Sequence, residues 1–110
     1  MQMVRRLYIV VREDLPPGAS SHSQVAHALT EYSFKYPRDF KEWHDNSNTL
    51  VVCQVPDMNA LLDLVERAAF EHVPRALFLE PDLDDTLTAV AFEPGVRSEK
   101  FLKKLDLLEG

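Results

Sequence analysis

With 110 residues the chain has room for one core, burying roughly two thirds of the unfolded surface, and none for a second domain, so residues 1–110 read as a single domain. Its 45% hydrophobic and 27% charged residues, with only 3 glycines, exclude a disordered or fibrous chain. A formal net charge of −6, from 12 basic and 18 acidic residues, argues against indiscriminate nucleic-acid binding through a broad basic field but leaves room for a local basic patch; no DNA partner is expected.

The segment from Met1 to Arg12 places Arg5 and Arg6 before the apolar run Leu7-Tyr8-Ile9-Val10-Val11. That run falls short of a secretory leader, and no apolar stretch approaches the ~20 residues of a bilayer span, so the expectation is a cytoplasmic protein with no membrane partner. The same run, β-branched and aromatic without alternation, predicts a strand covered on both faces, the central one of a sheet. Pro16-Pro17-Gly18 stops it and leads to Ser20 and Ser21 at a helix start.

Val25, Ala28, Leu29 and Tyr32 then recur at the spacing of a buried helical stripe, while Ser20, Gln24, His27 and Glu31 form a second, wholly polar stripe. Ser21 as N-cap with Gln24 three residues on would make a capping box, which suffices to explain Gln24 but leaves His27 without a role. Pro37 ends this helix, and Arg38 to His44 reads as a short second helix or turn. Thr49 to Val55 predicts a strand with Cys53 as a core thiol; one cysteine allows no intrachain disulfide.

Asp57 offers an N-cap to a helix faced by Leu61, Leu62, Leu64, Val65 and Ala68. Val73 to Leu79 predicts a third strand, Glu80 to Asp85 a turn, and Thr86 to Phe92 a fourth, alternating strand. Ser98 is the expected cap of a last short helix to Lys104, after which Leu105 to Leu108 trails out. Strands alternating with helices, and two final strands joined by a tight turn, give a three-layer α/β/α fold around a mixed sheet of about four strands. Charge is segregated: cations gather at Arg5, Arg6 and Arg12, at Lys35, Arg38 and Lys41, and at Arg97, Lys100, Lys103 and Lys104, with acid at Asp82, Asp84 and Asp85.

Five pieces in register resemble the type 2 peptidyl-tRNA hydrolase family over nearly the whole chain: Val11-Arg12-Glu13-Asp14-Leu15, Gln24-Val25-Ala26-His27-Ala28, Leu50-Val51-Val52, Thr86 through Pro94, and Leu105-Asp106-Leu107-Leu108. Glu80-Pro81-Asp82 and Phe101-Leu102-Lys103-Lys104 look more like its divergent branch, the peptidyl-tRNA hydrolase domain-containing proteins. The resemblance implies cleavage of the ester joining a peptide to tRNA, a homodimer, and no cofactor or metal. It places Gln24, His27, Thr88 and Asp82, with Glu80 as the alternative carboxylate, in the catalytic set. Ser20, Ser21, His22, Thr86 and Arg12 fall on the substrate side.

Ester hydrolysis needs a water, a proton acceptor and oxyanion donors, for which His27 is the neutral base, Gln24 and Thr88 are donors, and the amides of Ser21 to Ser23 form a positive helix end. Exposed apolar positions near Trp43 or on the last strand would supply a dimer interface. The chain departs from the family at two places: Ser20 stands where the family has a lysine, and the Asp-Ala-Gly segment is replaced by the tight turn Pro81 to Asp85. These departures favour an alternative, a catalytically degenerate tRNA- or protein-binding domain. A weaker third reading is action on another small acyl ester or nucleotide.

Overall fold

A computed structural model describes residues 4–108. The elements in chain order are β1 (Arg6–Arg12), α1 (Ser21–Lys35), α2 (Pro37–Asn46), β2 (Thr49–Val55), α3 (Met58–Phe70), β3 (Arg75–Glu80), a 3₁₀ turn (Pro81–Leu83), β4 (Thr86–Phe92), α4 (Val96–Leu102) and β5 (Asp106–Leu107). The fold is α/β, as expected, with one strand more than expected. The outermost residues of the expected 1–110 domain lie outside the described residues.

The sheet order is β3-β4-β1-β2-β5, which puts β1 at the centre. β1 runs parallel to β2, with Leu7 beside Leu50 and Val11 beside Gln54, and antiparallel to β4, with Val10 beside Val90. Because β1 is flanked on both sides and covered on both faces, its residues Leu7 to Val11 are all buried, as a non-alternating apolar run demands. Leu7, Ile9 and Val11 pack under α1 and α2 with Ala28, Tyr32 and Trp43; Tyr8 and Val10 pack on the other face with Leu61, Ala68 and Leu102 of α3 and α4. These are the three layers.

Five expectations are corrected. Leu105 to Leu108 does not trail out, since Asp106 and Leu107 pair antiparallel with Gln54 and Cys53 and cover the edge of β2. The third strand begins two residues late, at Arg75, after His72 takes a left-handed turn (φ 57°) and Pro74 follows. Ser98 is not a cap: α4 starts at Val96 after Gly95, and Ser98 is buried in its interior. The N-cap of α1 is Ser20 rather than Ser21, with its hydroxyl accepting from the Ser23 amide at 3.3 Å, so no capping box forms with Gln24. Finally, Trp43 is buried, its indole N–H donating to the Thr49 carbonyl at 3.1 Å, and β4 is buried from Leu87 to Phe92, so neither offers the exposed apolar surface expected of a dimer interface.

Candidate functional site

β1 and β2 end, and β4 begins, at one edge of the sheet, beside the first turn of α1. Crevices at the carboxyl ends of parallel strands are where open α/β sheets take ligands. Here three side chains from three elements join end to end. The Thr88 hydroxyl donates to the Gln24 amide oxygen at 2.6 Å, and the Gln24 amide nitrogen donates to a Glu80 carboxylate oxygen at 3.0 Å. The direction is fixed by chemistry: a carboxylate only accepts, so the amide must turn its NH₂ to Glu80 and its oxygen to Thr88, which must then donate.

Gln24 and Thr88 are 2% and 0% exposed, so each polar atom needs a partner, and the chain supplies them. Glu80 is half-buried and reaches the surface. Gln24 is therefore buried although it shares the polar stripe with Ser20, His27 and Glu31, which are exposed.

An irregularity in β4 aims Thr88 at the helix. Phe78 is opposite Ala89 whereas Leu79 is opposite Leu87, so the register slips by one and Thr88 is the extra residue of a bulge. Strict alternation from Phe92 and Val90, which belong to the core under α3, would point Thr88 toward that same core. The slip sends it to the α1 face beside Ala89. At the same point β1 and β4 part, and Arg12 caps the freed Leu87 carbonyl at 3.0 Å. Its guanidinium also holds Asp14 through two bonds of 2.8 and 3.1 Å, and that hydrogen bonding keeps the Asp14 carboxyl below its usual range. Arg12, expected on the substrate side, thus has three of its five N–H groups engaged by the protein and its charge paired with Asp14, while it still lines two of the hollows at this edge.

The other expected residues are spread around this chain. The Thr86 hydroxyl donates to the Leu83 carbonyl at 2.6 Å and closes the turn, so neither Thr86 nor Thr88 has a free proton to offer an oxyanion. Asp82 is exposed on the 3₁₀ turn and makes no bond to Gln24; Glu80 does. The signal that separates the two is parity, since Glu80 lies two residues beyond Phe78, which faces α1. His27 sits on the exposed flank of α1, its ring stacked on Phe78 with centroids 4.5 Å apart, and His22 is exposed in the first turn. The Ser21 and His22 amides have no hydrogen-bond partner among the described residues, and no acidic side chain occupies that turn.

Three shallow hollows open here. One of about 260 Å³ is lined by Pro17, Gly18, Ala19, Glu80, Asp82 and Leu83. A second, of about 360 Å³, lies between Arg12 and the Asp82–Thr86 turn. The third, about 240 Å³, brings Arg12, Ala19 and Ser21 together with Gln54 and Leu108. A hollow of about 350 Å³ at the opposite end of the sheet contains Arg5, but Asp39, Glu42 and the Pro94 carbonyl already occupy that guanidinium.

Compared with known proteins, residues 5–108 match the family model described as "Peptidyl-tRNA hydrolase PTH2".

Proposed function

The chain belongs to the peptidyl-tRNA hydrolase PTH2 family, and from that premise we propose that it hydrolyses the ester between a peptide and the 3′ ribose of tRNA, without a metal, at the Thr88–Gln24–Glu80 chain. The observation that carries this reading is the hydrogen-bonded chain itself: two buried polar groups held in one orientation by a carboxylate that reaches the surface.

Glu80 uses one carboxylate oxygen on Gln24, which leaves the other to accept a proton from a water in the hollow beside Ala19. That water attacks the ester carbonyl carbon. Negative charge develops on the carbonyl oxygen, facing the free amides of Ser21 and His22 at the start of α1. Collapse breaks the bond to the ribose 3′ oxygen, which takes the proton held by Glu80 as it leaves, and the peptide acid gives up its own proton to solvent and departs as a carboxylate. In this scheme Thr88 is a positioning residue, because its only proton is spent on Gln24, and Asp82 borders the same hollow. His27 is the second candidate base, exposed one turn further along α1. An aminoacyl ester is activated, so a modest site suffices.

Purified protein is expected to release peptide from a labelled peptidyl-tRNA. Gln24→Ala, which cuts the chain at its centre, lowers that rate by about 10²-fold, the order of one lost preorganised contact. Absence of release above buffer would leave the binding-domain reading, which the pairing of Arg12 with Asp14 and the serine at position 20 favour. We also propose a cytoplasmic homodimer; among the described residues Phe34 and Phe70, 81% and 84% exposed, are the most exposed large apolar side chains for such a contact.

A further inference from the structure

We propose that the exposed face of α4 and the turn after it, carrying Lys100, Lys103 and Lys104, is the surface that docks the phosphate backbone of the RNA, separate from the reacting groups; this rests on the hydrolase reading above. Two facts about charge lead there. The rim of the candidate site is acidic, with Glu80, Asp82 and Asp84 on its hollows, and its one arginine is neutralised by Asp14. A polyanion must therefore be held by cations elsewhere.

The protein's other cations are mostly spent. Arg5, Arg6, Arg12, Lys41, Arg67 and Arg97 are paired with carboxylates. Lys35 and Arg75 hold backbone carbonyls. Of the 12 basic residues this leaves Arg38, Lys100, Lys103 and Lys104 without a hydrogen bond or ion pair among the described residues, and three of these four fall within one turn and a half of chain.

The lysines are exposed, while Ser98 and Leu102 on the opposite side of α4 are buried. Lys100 and Lys103 line one shallow hollow with Val96 and Glu99, and Glu99 is itself neutralised by Arg6 at 2.9 Å. The patch also connects to the site. Two residues after Lys104, Asp106 pairs with Gln54, and Gln54 shares a hollow with Arg12 and Ser21 at the start of α1. A backbone lying along α4 can thus reach the amides of Ser21 and His22 by passing the β5 edge. Among the described residues Asp106 and Glu13 are exposed carboxylates on that path, Glu13 on the hollow itself, so the cations that hold the backbone are those of α4 and the turn after it.

The test compares full-length peptidyl-tRNA with an N-acyl-aminoacyl ester of the 3′-terminal CCA trinucleotide, which is too short to reach α4. In the variant Lys100→Ala/Lys103→Ala/Lys104→Ala, KM for the full substrate rises about tenfold or more and kcat holds. The short ester is cleaved as by the native protein, and Lys→Arg at all three positions restores KM. The dependence of tRNA retention on log salt loses about 2–3 units of slope, one per released phosphate contact. Arg38→Ala, with an unpaired cation off the patch, leaves all of this unchanged, and unchanged melting of the triple variant excludes misfolding.

Equal loss on both substrates, or no change on either, overturns the proposal. If the native protein hydrolyses nothing, the hydrolase reading fails, but tRNA retention still decides this one: a native protein that binds and a triple variant that does not sustain it, and a native protein that does not bind tRNA ends it.

Discussion

Cys53 shows how a single side chain carries the state of the whole core. It is 1% exposed, in β2 beneath α3, and burial pushes its thiol up to about 11, with Asp106 adding to the shift. The folded pKa is raised, so the unfolded chain releases this proton first. The stabilising contribution is complete below the unfolded value near 9 and is lost as pH climbs from about 9 to 11, amounting to about 3 kcal/mol at most. We expect the urea midpoint of the native protein to fall more steeply over that interval than that of Cys53→Ala. A thiol reagent at pH 8 should react only on unfolding. Tyr32 behaves in the same sense: burial and a 2.7 Å bond to Asp39 push its phenol well above the ordinary range, so it stays protonated in the fold. Gln24 and Thr88 differ from both, since what matters for them is the orientation the buried bonds impose.

Among the elements, α1 does most to build the site, and its first turn decides where the free amides point. Ser20 is extended (φ −77°, ψ 127°) and its hydroxyl satisfies Ser23, which leaves the amides of Ser21 and His22 outward. Ser20→Ala should cost about 1 kcal/mol in melting experiments, whereas Ser21→Ala, inside the helix, should cost nothing and stabilise by about a few tenths of a kcal/mol, because alanine is the better helix former. The reverse order would place the cap one residue later. Two adjacent serines make that choice illegible in the sequence, whereas the stripe of Ala28 and Tyr32 is legible because only a helix buries that spacing. Strands β1 and β2 were legible as apolar runs. β5 was not, because two exposed residues carry no period and the pairing to β2 is a tertiary event. The bulge was equally hidden: Thr86 to Phe92 alternates in composition, and only the slip between Phe78 and Leu79 shows that Thr88 has changed sides.

At the scale of the molecule, the residues proposed to react and those proposed to dock RNA lie on different faces of one sheet. The two buried clusters share no member: one lies under α1 and α2, the other under α3 and α4. Substitutions on opposite faces should therefore add. Leu61→Ala removes packing under α3 and costs about 2–5 kcal/mol; Tyr32→Phe removes the Asp39 bond under α1 and costs about 1–2 kcal/mol. The double variant should match the sum within about 0.5 kcal/mol in urea titrations, whereas coupling beyond that would mean the clusters communicate through β1. The formal charge of −6 is a poor guide to function here, because it averages an acidic rim with a basic ridge. A five-stranded partition of this kind works as a bulkhead. If the α4 lysines dock cargo as proposed, that side is free to drift or to be redesigned, lysine by lysine, while the compartment that orients Gln24 keeps its fittings untouched.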